Sequence, residues 1–136
     1  SAKDEGLFLF KEMEDKTDDN EFVWEIIRLD SNLNEINKRE VIIDKKFTFK
    51  GYSYDNGKFV MLFQEGIDYA KDLLFLIFSL TGDSFNSYLY ENLVPIKLTE
   101  FEVKNDAVVF GGNVNMRTVV MMYNFIAEKG VVLPGF

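Results

Sequence analysis

The dipeptide Asn56-Gly57 constrains this chain more than any other feature of it. It separates two aromatic and aliphatic runs, Tyr52-Ser53-Tyr54 and Phe59-Val60-Met61-Leu62-Phe63. Asn-Gly accepts the positive φ angles that a type I′ turn imposes, so this pattern predicts a tight β-hairpin. A second hairpin is expected at Gly111-Gly112-Asn113, which lies between the apolar runs 107–110 and 118–123.

Apolar runs of similar make-up recur along the chain. Leu9-Phe10-Lys11-Glu12 resembles Leu62-Phe63-Gln64-Glu65 at an offset of 53, and Met122-Tyr123-Asn124 echoes Leu62-Phe63-Gln64 at an offset of 60. Phe22-Val23-Trp24-Glu25-Ile26-Ile27-Arg28-Leu29-Asp30 follows the first of these as Leu74-Phe75-Leu76-Ile77-Phe78 follows the second. Val41-Ile42-Ile43 and Phe47-Thr48-Phe49 then correspond to 94–98 and 108–110. A unit of four strands every 53 to 60 residues resembles a β-propeller blade, whose antiparallel strands recur at about 40–50 residues in the WD and kelch types.

The resemblance implies an all-β fold of antiparallel four-stranded repeat units, a partial propeller. Residues 1–136 would form a single β domain of about two blade-like repeats and the start of a third, a piece of a larger propeller-containing protein. The alternative fold is a β-sandwich or barrel of seven or eight strands. Residues 68–80 are expected to be strand, with a helix capped by Asp68 and ended by Gly82 as the competing reading, because periodicity does not separate the two over so short an apolar run.

Composition removes whole classes of chemistry. There is no Cys and no His, which excludes thiol nucleophiles, disulfides, Cys/His zinc sites and imidazole acid-base catalysis. The net charge is −8, and residues 1–20 carry seven acids against three bases. With only Arg28, Arg39 and Arg117, the chain lacks the basic surface that tracks a phosphate backbone, so no nucleic acid is expected as a partner. The longest apolar run, 73–78, is far shorter than the roughly 20 residues of a membrane-spanning helix, so no membrane insertion is expected.

Asp30-Ser31-Asn32-Leu33-Asn34-Glu35 alternates oxygen ligands as a calcium loop does, but Glu35 and Val41 occupy the places where an EF-hand needs Gly and Glu, so a turn is expected. The acidic run 12–21 is expected to be a solvated loop that protects the adjoining strand edge. No carboxylate pair is singled out by spacing, the serines lack an activating histidine, and no glycine motif cradles phosphate. Neither catalytic residues, nor a metal, nor a cofactor is expected.

Four tyrosines remain as candidate binding residues: Tyr52 and Tyr54, Tyr88 and Tyr90, each pair projecting to one strand face by the two-residue period. The opposing reading is cross-strand support beside a hairpin. Trp24, beside Val23 and Ile26, is expected in the core. The expected function is non-catalytic binding or assembly, with a protein partner or a second copy in a homodimer. The alternative is a carbohydrate-binding or carboxylate-dependent glycoside-processing domain.

Overall fold

A computed structural model describes residues 7–16, 18–55, 57–79 and 85–133, without the side chains of 92–94, 132 and 133. Among the described residues the chain is all-β and antiparallel. Ten strands follow one another: β1 (Leu7–Glu12), β2 (Glu21–Leu29), β3 (Glu35–Asp44), β4 (Phe47–Asp55), β5 (Lys58–Glu65), β6 (Ala70–Ser79), β7 (Phe85–Lys104), β8 (Ala107–Val114), β9 (Arg117–Asn124) and β10 (Lys129–Leu133). They form a three-stranded sheet, β1-β2-β3, and a seven-stranded sheet ordered β10 through β4, neither of them closed.

The hairpin expected at Asn56-Gly57 is present. Asp55 pairs with Lys58 across a two-residue connection, and Gly57 has φ 79°. Asn56 itself lies outside the described residues. The second hairpin is displaced from its expected place: Gly111 and Gly112 lie within β8, and the chain turns at Asn115-Met116, both with positive φ (50° and 66°), between Val114 and its partner Arg117. The reason is steric. Gly112 faces the backbone of β7 so closely that a Cβ there would collide with the Lys97 carbonyl oxygen. Its missing side chain serves strand packing instead of a turn.

Residues 70–79 are strand β6, not helix; Leu80, Thr81 and Gly82 of the helical alternative lie outside the described residues. The run reads as continuously apolar because both of its faces are covered. Phe75 and Leu73 pack to one side, Leu76 and Phe78 to the other, and the whole middle of β5 is buried likewise. A strand enclosed on both sides loses the alternation that a half-exposed strand shows.

The hydrogen bonding departs from separate four-stranded units. The similar runs do fall on β1, β5 and β9, but these hold unlike places: an edge of the short sheet, and two interior positions of the long one. What organises the long sheet is β7. Its first part pairs with β6, its last part with β8, and between them the register with β6 jumps from Asp72↔Glu91 to Ala70↔Ile96. Pro95 lies in this interruption, where its missing N–H costs no ladder bond. β7 therefore belongs to two ladders, β4-β5-β6-β7 and β7-β8-β9-β10.

The two ladders face each other across a core that includes Val60, Leu62, Phe75, Ile96, Phe110 and Tyr123. Their β4 and β7 margins are fastened by polar contacts: the Val103 N–H donates to Ser53 Oγ (3.2 Å) and the Asn105 N–H to Asp55 Oδ2 (2.9 Å). The three-stranded sheet covers the opposite face of the first ladder through a second core built on Ile26, Ile43, Phe59, Met61, Phe63 and Phe78. Three layers result, met in chain order, with the β4–β7 ladder in the middle. The step from the first layer to the second is the corner at Lys45-Lys46, where the Asp44 carboxylate accepts the Lys46 N–H (2.9 Å).

Candidate functional site

The four candidate tyrosines do not converge. Tyr52 and Tyr54 pair with Met61 and Phe59, on the face of the middle ladder that meets the short sheet. Tyr88 and Tyr90 pair with Phe75 and Leu73, on the opposite face. The period of two placed each pair on one side correctly, but nothing in the local sequence told which side.

Tyr88 and Tyr90 are integrated into the core between the ladders. Tyr90 meets Phe110 and Tyr123 edge-on at 5.8 and 5.6 Å, and Tyr88 lies 5.3 Å from Phe125. Burial pushes the Tyr90 phenol above its ordinary pKa, since a phenolate there would be poorly solvated. Tyr52 differs. It is 60% exposed and stands edge-on to Phe10 at 5.5 Å, so it offers a supported aromatic surface to solvent. Trp24 is half-buried among Phe10, Phe49 and Phe63, as expected of a core residue, with its indole Nε1 buried and without a hydrogen-bond partner among the described residues.

The loops read as calcium-like or acidic are closed by their own backbone. Asp30 Oδ1 accepts the N–H groups of Asn32 and Asn34, each at 2.9 Å, which holds the Asp30 carboxyl below the usual carboxylate range. Asp18 Oδ1 accepts those of Asn20 and Glu21, with the same effect. No group of three or more acidic side chains placed to hold a metal ion occurs among the described residues. Nor does any helix there have the length and apolarity to cross a membrane.

Two further surfaces lie outside the residues that the sequence singles out. The first is the outer face of the short sheet. Cross-strand pairs put Leu7 beside Leu29, Leu9 beside Ile27 and Val23 beside Ile42 on that face, and Leu9 and Ile42 are 45% and 61% exposed. In its middle sits Glu25, buried to 7% exposure between Lys11 at 4.0 Å and Lys38 at 3.9 Å. The second is a cleft of about 360 Å³ where β3 overhangs β6 and β7. Arg39 and Val41 form its wall, Leu74, Leu76 and Phe85 its floor, and Arg39 lies over the Phe85 ring at 5.2 Å. The only local signal for the cleft was β3 itself, whose inner face changes from Asn37 and Arg39 to Val41 and Ile43 along the strand.

No family model, no curated protein and no solved structure matches this chain.

Proposed function

We propose that this chain is a non-catalytic assembly module, a propeller-like run of stacked sheets within a larger protein, whose outermost faces pack against further protein. The observation that carries this reading is the layering. Three antiparallel meanders follow one another along the chain and stack face to face, and the last exposed face of the first meander keeps Leu7, Leu9 and Ile42 at its surface. Apolar side chains exposed on either side of the Lys11–Glu25–Lys38 ion pairs favour burial against another surface. A second copy related by a two-fold axis would use the same patch twice.

Light scattering on a size-exclusion column tests the self-association. The expected mass is twice the 15.8 kDa of one chain, returning to a single chain in Leu9→Lys and Ile42→Lys. A single-chain mass that persists at high concentration overturns the homodimer.

The exposed ring of Tyr52 favours a second reading, a carbohydrate-binding surface, because a supported aromatic face stacks on a sugar ring. A glycan-binding screen of the native chain and of Tyr52→Ala separates the two. Glycan affinity that Tyr52→Ala abolishes supports the sugar site, and no affinity for any glycan removes it.

A further inference from the structure

Gly111 lies in the middle of β8, between β7 and β9, where glycine weakens a strand. Neither a positive φ nor a close approach requires it there. A Cβ would meet Val119 O at 3.7 Å and Glu100 Cγ at 3.8 Å, ordinary contacts, whereas the adjoining Gly112 is pressed against the Lys97 carbonyl. What the missing side chain leaves is a slot of about 150 Å³ on the outer face of the third layer. Val108 and Phe110 belong to the core between the ladders, so Val109 and Gly111 face away from it, and on β7 Phe101 and Val103 alternate in the same way with Glu100 and Glu102. Half-buried Val109 and Val120 form apolar walls. Glu100 pairs with Gly111 and Glu102 with Val109, which sets two exposed carboxylates along one side of the slot. Neither takes part in an ion pair among the described residues.

We propose that this slot takes the side chain of an arginine carried by another polypeptide. Arginine has an apolar stem and a planar cationic head with a fork of N–H donors. The stem rests against Val109 and Val120, and the guanidinium donates to the carboxylates of Glu100 and Glu102. Two carboxylates on one strand face repel each other, and a guanidinium between them removes that repulsion. Lysine, a compact point charge, spans two carboxylates less well. A calcium ion fits poorly, because two carboxylates between apolar walls supply too few oxygen ligands. The net charge of −8 draws basic segments towards the chain as a whole. For the assembly reading, the slot specifies the chemistry of a partner at the last layer. It lies at the other end of the stack from Leu9 and Ile42, so it works equally in a single chain and in a dimer formed through those residues.

The test titrates the full chain, labelled with ¹⁵N, with a capped peptide that carries one arginine between valines and threonines, and with the same peptide carrying citrulline in its place. Saturable shifts centred on the amides of Val109, Gly111 and Val120 are expected at millimolar peptide. Citrulline, which keeps the shape and loses the charge, should weaken binding by about tenfold. Glu100→Gln combined with Glu102→Gln should weaken it by about the same factor, and Gly111→Val, which fills the slot, should abolish it, while the rest of the spectrum stays in place. Asp68→Asn, at an exposed acid of the β5–β6 loop, should leave the affinity unchanged, and so should Leu9→Lys even where it dissociates a dimer. No saturable shifts, equal affinity for the arginine and citrulline peptides, indifference to either slot variant, or a gain of affinity in Phe136→Ala, which would give the slot to the chain's own end, each overturns the proposal.

Discussion

The ring of Phe8 stacks on that of Phe59 with centroids 4.8 Å apart and planes 12° from parallel, joining the first strand of the short sheet to the middle ladder. Phe8 sits on β1, the outermost strand of its sheet among the described residues, and Phe78 supports it at 6.1 Å. Truncating a large core aromatic costs about 3–5 kcal/mol when it is fully enclosed, and Phe8 is half-buried. Phe8→Ala is expected to cost about 2 kcal/mol, and Phe8→Leu less than half of that. Urea unfolding monitored by Trp24 fluorescence measures both, because Trp24 sits in the same aromatic cluster.

Two neighbouring glycines should respond in opposite ways. A Cβ at Gly111 would make ordinary contacts with Val119 and Glu100, whereas one at Gly112 would strike the Lys97 carbonyl and lie 2.9 Å from Ile96 Cγ1. Gly111→Ala is expected to be neutral or to stabilise by up to about 1 kcal/mol by restricting the unfolded chain. Gly112→Ala should destabilise by about 2 kcal/mol or more, because backbone must shift. Thermal unfolding of the two variants gives the comparison, and equal melting temperatures would contradict it.

At high pH the core between the ladders becomes the weak point. Burial raises the phenol pKa of Tyr90 and of Tyr123 in the folded state. The stability that these phenols contribute is complete below their unfolded value near 10 and is lost as pH rises through the higher folded values. Lys16, raised chiefly by its hydrogen bond to Glu40, acts in the same direction. Tyr90→Phe and Tyr123→Phe should flatten the decline in stability above about pH 10, read as the midpoint of urea unfolding at successive pH values.

The acid limb has the opposite sign. Asp18 and Asp30 are held below the usual range by backbone N–H donors, so their contribution is present above the unfolded value near 4 and disappears as pH falls through the folded values. The double variant Asp18→Asn, Asp30→Asn should lose less stability between neutral pH and acid than the native chain does. An unchanged acid midpoint would remove these loops as its cause.

The parts of the fold that depend on local chemistry were legible. Asn56-Gly57 marked the β4–β5 hairpin, and Asp30 marked a turn that its own carboxylate closes. Gly111-Gly112 misled because the same missing Cβ that permits a turn also permits a close backbone approach, and Asn115 carried the turn signal instead. The sequence held no indication that β3 and β4, two residues apart, part company at Lys45-Lys46 and enter different sheets. That choice is made by Ile43 and Phe47 packing into one core from two layers, a non-local preference. The candidate tyrosines failed to meet for the same reason: side-chain period assigns a face, and tertiary packing decides what covers it.

Because β7 serves in both ladders, the molecule divides more readily at some places than at others. Separation between β7 and β8 would strip one ladder of its first strand, and separation between β6 and β7 would strip the other of its last. At Lys45-Lys46 no ladder is interrupted, since the strands on either side are not hydrogen-bonded neighbours. The three-stranded layer is therefore tied to the rest by one peptide connection and one packed face, whereas the seven strands from Phe47 to Leu133 share a continuous series of hydrogen-bonded neighbours.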